Sequence, residues 1–139
     1  MDELEILRLK SQGLCCSQIM VKLVLDLMDR DNPDLVAFSR GLCLGYGEET
    51  GACGILTAGI CIMAMYAPAD PDLRGLLQES FVTDFKTWTG DKTSCRGIVG
   101  DHYPNMHPST CGSLLVKAHE RLVKILAENG IDPADPEIP

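Results

Sequence analysis

At 139 residues and 45% hydrophobic content the chain suits one domain that buries its own core. A formal net charge of −8 with a pI near 4.7 argues against nucleic acid or an anionic membrane as partner. Seven cysteines are a rich and odd count, and the acidic Met1-Asp2-Glu3 start lacks the basic segment of a secretion signal. The expectation is therefore a cytoplasmic chain with reduced thiols, where metal binding or reversible redox chemistry is favoured over a disulfide framework.

The chain reads as helices joined by short loops. Residues 2–12 form a short charged helix ending at Gly13, and a second helix opens near Leu14–Cys16, with Met20, Leu23, Val24, Leu27 and Met28 at helical spacing. Asn32-Pro33 caps a third helix carrying Leu35, Phe38 and Leu42. A glycine-rich loop, Gly45 to Gly51, precedes an uncharged helix from about Ala52 to Ala67, in which Gly54 and Ala58 lie one turn apart and permit close backbone contact. Asp70-Pro71 repeats the cap-plus-proline signature before a stripe of Leu73, Leu77, Phe81, Phe85 and Trp88 that stops at Gly90. Thr93 or Ser94 caps a short turn at Cys95. The last helix follows Pro108-Ser109-Thr110, buries Leu115, Ala118, Leu122 and Ile125, exposes Lys117, His119, Glu120, Arg121 and Lys124, and stops at Gly130.

The expected fold is all-α: a single compact domain of five or six helices over residues 1–130, with a buried central helix and a loose tail at 131–139. The uncharged run Thr50 to Ala69 is long enough to span a bilayer, but it is rich in small residues, contains Pro68 and has acidic flanks. No membrane span is expected, and the small-residue face of this helix also suits a homodimer interface.

Cys16, Cys53, Cys95 and Cys111 each follow residues that permit a turn or cap, so all four are expected at helix N-termini. Unpaired N–H groups and a partial positive charge stabilise thiolates there, which makes cysteine a nucleophile, a redox centre or a metal ligand. Their separations of 37, 42 and 16 residues match no zinc-finger, rubredoxin or bacterial ferredoxin pattern, and there is no C-x-x-C. Cys15, Cys43 and Cys61 lie within or beside apolar stretches and read as packed thiols, with Cys61 buried and unreactive.

These residues resemble the family of redox-active proteins named for a C_GCAxxG_C_C pattern, over about residues 11 to 128. Gly13-Leu14-Cys15-Cys16-Ser17-Gln18 resembles the family's Gly-x-x-Cys-x-Gln opening, and Gly41 to Gly47 its glycine-rich segment. Cys53-Gly54-Ile55-Leu56-Thr57-Ala58 stands where the family has Cys-Gly-Ala-x-x-Gly. Ser94-Cys95-Arg96-Gly97-Ile98-Val99-Gly100 and Thr110-Cys111 resemble its third and fourth cysteine segments. Ile55 and Ala58 depart from the pattern and would narrow the space beside Cys53; Gly59 lies one position late. The family is similar to the iron–sulfur domain of split-Soret cytochrome c, and with no C-x-x-C-H haem site here the resemblance implies a cluster domain without haem.

The leading expectation is thus an electron-transfer or redox-sensing protein in which Cys16, Cys53, Cys95 and Cys111 converge and ligate an iron–sulfur cluster, most plausibly 2Fe–2S, with a redox protein as partner. The alternatives are a thiol–disulfide oxidoreductase in which these cysteines are catalytic, with Cys95–Cys111 the preferred pair, and a structural zinc protein. His102 and His107, in the loop between Cys95 and Cys111, are further candidate metal ligands or hydrogen-bond donors to sulfur. Arg96 is a candidate for stabilising charge at Cys95, and Glu48 and Glu49 are candidate acids or ligands.

Overall fold

The computed structural model describes residues 3–136. Among them it forms seven right-handed helices and no strand. Helix α1 (Glu3–Ser11) has Glu3 and Glu5 in its first turn and Arg8 and Lys10 in its last, matching its dipole. It ends at Gly13, whose φ of +87° is open to glycine without strain. Helix α2 (Cys16–Leu27) starts where the Cys15 N–H donates to Gln18 Oε1, and the Gln18 amide donates on to the Val36 carbonyl of α3 (Pro33–Ser39). As the sequence suggests, Asn32 caps α3 by accepting from the Leu35 N–H. Phe38 is 82% exposed. The short α3 meets α2 along its Val36–Ser39 edge and leaves Phe38 facing outward.

The chain then makes a 3-10 turn (Arg40–Leu42) and a turn over Cys43–Tyr46 that winds the wrong way. Leu44, Gly45, Tyr46 and Gly47 take φ values of 56°, 62°, 46° and 80°. Left-handed backbone costs about 1–2 kcal/mol for each of the two residues that carry a Cβ. Gly45 lies with its backbone directly on the Gly51 backbone, and a Cβ on either would strike the other's carbonyl.

Helix α4 (Gly54–Met65) is the central element, packed against α2 and against α5 (Pro71–Thr89). Its Ile55, Ala58, Ile62 and Met63 are almost fully buried. Gly59 allows the Phe81 ring of α5 to lie on the α4 backbone, where a Cβ would overlap it. That contact, rather than any relation to Cys53, explains this glycine. After the one-turn helix α6 (Cys95–Val99), the long α7 (Thr110–Glu128) closes the core against α5, α1 and α4. The expected stripes Leu77, Phe81 and Phe85 of α5 and Leu115, Ala118, Leu122 and Ile125 of α7 form the interior.

The structure corrects two expected positions. Cys61 is exposed, because α4 is buried on three sides only and turns Cys61 outward between half-buried Ile60 and Ala64. His119, expected on the solvent face of α7, is buried at 9% exposure, and its Nδ1 has no hydrogen-bond partner among the described residues. The described part of the C-terminal segment, 131–136, lies against the core: Pro133 O accepts the Tyr66 hydroxyl at 2.7 Å, and Pro136 is buried. Residues 137–139 of the expected tail lie outside the described residues.

Two outcomes follow from this packing. Gly59→Ala forces Phe81 away from α4 and should lower the urea midpoint by the equivalent of about 1–3 kcal/mol. An unchanged midpoint would refute that contact. Burial holds the His119 pKa below 6.5, so the unfolded chain binds the proton more readily. Its contribution is complete above about pH 6.5 and is lost as pH falls below that value. His119→Leu should therefore lose less stability than the parent between about pH 7 and 5, and superimposable profiles would count against this assignment.

Candidate functional site

Two segments far apart in sequence are tied backbone to backbone. The Cys53 N–H donates to Thr93 O at 2.7 Å, and the Cys95 N–H donates to Gly51 O at 3.0 Å. They form an isolated antiparallel bridge between Ala52 and Ser94. This bridge sets Cys53, the N-cap of α4, beside Cys95, the first residue of α6. Ser94 caps α6 by accepting from the Gly97 N–H, which orients the turn that carries Cys95.

Cys16, the first residue of α2, reaches the same place because α2 packs on α4 through a glycine. A Cβ on Gly54 would stand 3.0 Å from Leu42 O and 3.3 Å from Cys16 Sγ. Cys111 arrives as the second residue of α7. Together with Cys95 and Val99 it forms a small apolar cluster covered by Leu44, Ile98, Tyr103 and Met106, while Cys16 and Cys53 belong to the edge of the main core. The thiols thus meet at the seam between the two clusters. All four expected helix starts are found as expected.

Their electrostatics show how close they are. A thiolate on Cys16 would be disfavoured by one on Cys53 or Cys111, one on Cys53 by Cys95 or Cys111, and one on Cys95 by Cys16 or Cys111, so every pair interacts. All four are buried, at 3–5% exposure. Burial is the main force on each thiol and pushes Cys16 up to about 12, Cys53 and Cys95 up to about 11, and Cys111 upward. Backbone N–H groups act the other way, favouring negative sulfur. Leu44 and Ser17 do so at Cys16, and Ile55 and Leu56 at Cys53. At Cys111 the His107 N–H donates to Sγ at 3.3 Å. The left-handed turn is what aims the Leu44 N–H at Cys16. Desolvation prevails, and the four are neutral thiols at pH 7 in the protein alone.

The other candidates divide. The His107 ring is engaged at the start of α7, where Nδ1 accepts from the Ser109 and Thr110 N–H groups; its backbone, not its ring, serves Cys111. His102 is exposed and meets His107 edge-on, ring centres 4.4 Å apart. Arg96 does not act on Cys95: its guanidinium turns to Glu49 at 2.6 Å on the exposed side. Glu48 and Glu49 are both exposed loop residues. Among the described residues, no three His, Cys, Asp or Glu side chains form a group that could hold a metal ion. The thiols share a small volume, but they do not converge on one point.

The pairing expectation is overturned. Cys95 and Cys111 are both free, and the two cysteines that meet sulfur to sulfur as a disulfide pair are Cys15 and Cys43, with Cα atoms 6.0 Å apart. Both were read as packed thiols. Cys15 stands on the turn before α2 and Cys43 on the turn after α3, and the α2–α3 contact brings those turns together. The only sequence signal was the vicinal Cys15-Cys16 itself, in which one residue on the turn points away from the site its neighbour joins.

The family profile described as "Putative redox-active protein (C_GCAxxG_C_C)" matches residues 14–125. No curated protein and no solved structure matches the chain. No helix among the described residues is long and apolar enough to cross a membrane.

The site makes a prediction about reactivity. A thiol reacts as thiolate, so raised pKa values and burial both slow Cys16, Cys53 and Cys95. Iodoacetamide at pH 8 under argon should label exposed Cys61 first, and those three more slowly by a factor on the order of 100. Peptide mass mapping over time reads the order; equal rates at Cys61 and Cys16 would contradict the described burial.

Proposed function

The chain belongs to the C_GCAxxG_C_C family of redox-active proteins, and from that premise we propose that Cys16, Cys53, Cys95 and Cys111 hold an iron–sulfur cluster, 2Fe–2S in type, serving electron transfer or redox sensing with a protein partner. The observation that carries this reading is that four buried thiols at four helix starts lie close enough to act on one another, with backbone N–H groups directed at three of the sulfurs. Such a nest suits sulfur that carries negative charge, yet among the described residues no cation is placed within it. Lys10 reaches Cys111 only from outside, and Arg96 is held by Glu49. A metal-centred group would supply the missing positive charge and release the thiol protons on binding.

Bound there, a cluster would supply one-electron redox chemistry. The residues of the chain would do the rest. The Leu44, Ser17, Ile55, Leu56 and His107 N–H groups would share the charge on sulfur and raise the potential. Leu44, Tyr103 and Met106 cover the site and limit water. The departures at Ile55 and Ala58 are compatible with this, since both side chains are fully buried in the core.

Protein purified without air, or reconstituted with iron and sulfide, should be brown, with iron and acid-labile sulfide in equal amounts. Cys53→Ser should abolish the colour and leave the far-ultraviolet helix signal largely in place, because serine can still accept from the Ile55 and Leu56 N–H groups. A colourless protein that loses two of these four thiols on oxidation would assign the site to dithiol chemistry. Bound zinc with unfolding of Cys53→Ser would make it structural. Unchanged absorption in Cys53→Ser would overturn the ligand set.

A further inference from the structure

We propose that Cys15 and Cys43 form a second redox centre, a thiol–disulfide exchange site for a dithiol reductant, built from cysteines outside the nest and adjoining it at Cys16. The pair has the Cα separation of a disulfide, 6.0 Å, and both residues are half-buried, unlike the four thiols beside them. Cys15 lines an open cleft of about 430 Å³ between the end of α1 and the loop at Pro104–Met106, with Leu14 and Leu44 as apolar walls and Lys10 at its rim. Cys43 does not line it. Of the pair, an incoming thiol therefore meets Cys15; Cys16 lines the same cleft but is buried, whereas Cys15 is half-exposed.

A buried hydroxyl serves both sulfurs. Ser17 Oγ lies 3.0 Å from Cys43 Sγ and 3.4 Å from Cys15 Sγ, and is otherwise bonded to Ser39 O at 2.8 Å. Ser17 is fully buried, so its hydroxyl is held in place. A hydroxyl that can donate or accept is suited to a sulfur that alternates between disulfide and thiolate.

The step balances with the dithiol alone. One thiolate of the reductant attacks Cys15 Sγ, forming a mixed disulfide. The Cys15–Cys43 bond breaks, and its electron pair leaves on Cys43; the Ser17 hydroxyl, which donates to Ser39 O in the disulfide state, turns its one proton toward the Cys43 thiolate until that sulfur is protonated. The second thiolate of the reductant then attacks its own linked sulfur and expels Cys15, which is protonated in turn. The reductant is oxidised to a disulfide, and the pair gains two electrons and two protons. Cys15 is the attacked sulfur, Cys43 the leaving group and Ser17 the positioning residue.

The test uses the full chain and reads this pair by non-reducing peptide mapping. Air-exposed protein should contain the Cys15–Cys43 link, and dithiothreitol or reduced thioredoxin should open it without denaturant. Response to dithiothreitol alone identifies a small dithiol as reductant; response to thioredoxin identifies a protein. In Cys43→Ser, oxidised glutathione should modify Cys15, and in Cys15→Ser it should modify Cys43 more slowly, by about tenfold or more. Ser17→Ala should shift the pH dependence of opening upward while the helix signal is unchanged. A link that survives both reductants in folded protein would make the pair a structural staple, and two free thiols after air exposure would remove it altogether; either overturns the proposal. Cys53→Ser should give the same mapping result as the parent, so failure of the cluster reading and failure of this one are told apart.

Discussion

Two hydrogen bonds hold the candidate site together. Cys53 N–H to Thr93 O and Cys95 N–H to Gly51 O join segments 42 residues apart, at the starts of two helices. Few other contacts fix α6, a single turn between two loops. Without this bridge the third cysteine would have no defined place relative to the second. It also accounts for the glycine loop: Gly51 must present its carbonyl to Cys95 while its own backbone touches Gly45. The left-handed turn that Gly45 permits then carries Leu44 over Cys16. A chain of backbone contacts thus links Cys95, Cys53 and Cys16, and Cys111 joins from α7 through the His107 N–H and the small apolar cluster.

The balance at the thiols is between desolvation and backbone dipoles. Burial raises all four pKa values, and the N–H groups recover only part of the effect. Mutual repulsion adds to the first side. The site therefore favours charged sulfur only when positive charge enters with it, and that is the premise of the cluster proposal. The half-buried pair obeys other rules. Cys15 and Cys43 lie half in solvent, share a fixed hydroxyl, and open onto a cleft. Vicinal cysteines serve two environments because the extended Cys15 precedes the first helical residue, Cys16, and the chain turns between them.

Periodicity and capping signals are local, and they were legible. The caps at Asn32 and Asp70, the stops at Gly13 and Gly90, and the stripes Leu77–Phe81–Phe85 and Leu115–Leu122–Ile125 follow from spacing alone and appear as read. The placement of the four cysteines at helix starts was readable for the same reason. Exposure was harder to read. Cys61 and His119 each fell on the opposite side from that expected, since helical spacing defines a face but not which neighbour covers it. α4 is apolar all round, so its sequence held no sign that the Cys61 side would be left open.

By itself the sequence determined the helices, their ends, the family and the set of helix-start thiols, all of which depend on interactions within a few residues or on motif identity. Only the tertiary structure decided which sulfurs share a volume and which form a pair. Short spacing favoured Cys95–Cys111, but pairing depends on where backbones pass. The α2–α3 contact brings Cys15 to Cys43 across 28 residues, whereas Cys95 and Cys111 stay free in the nest. Disulfide formation requires Cα atoms within about 7 Å with side chains facing each other. That is a property of packed elements, and no spacing along the chain encodes it.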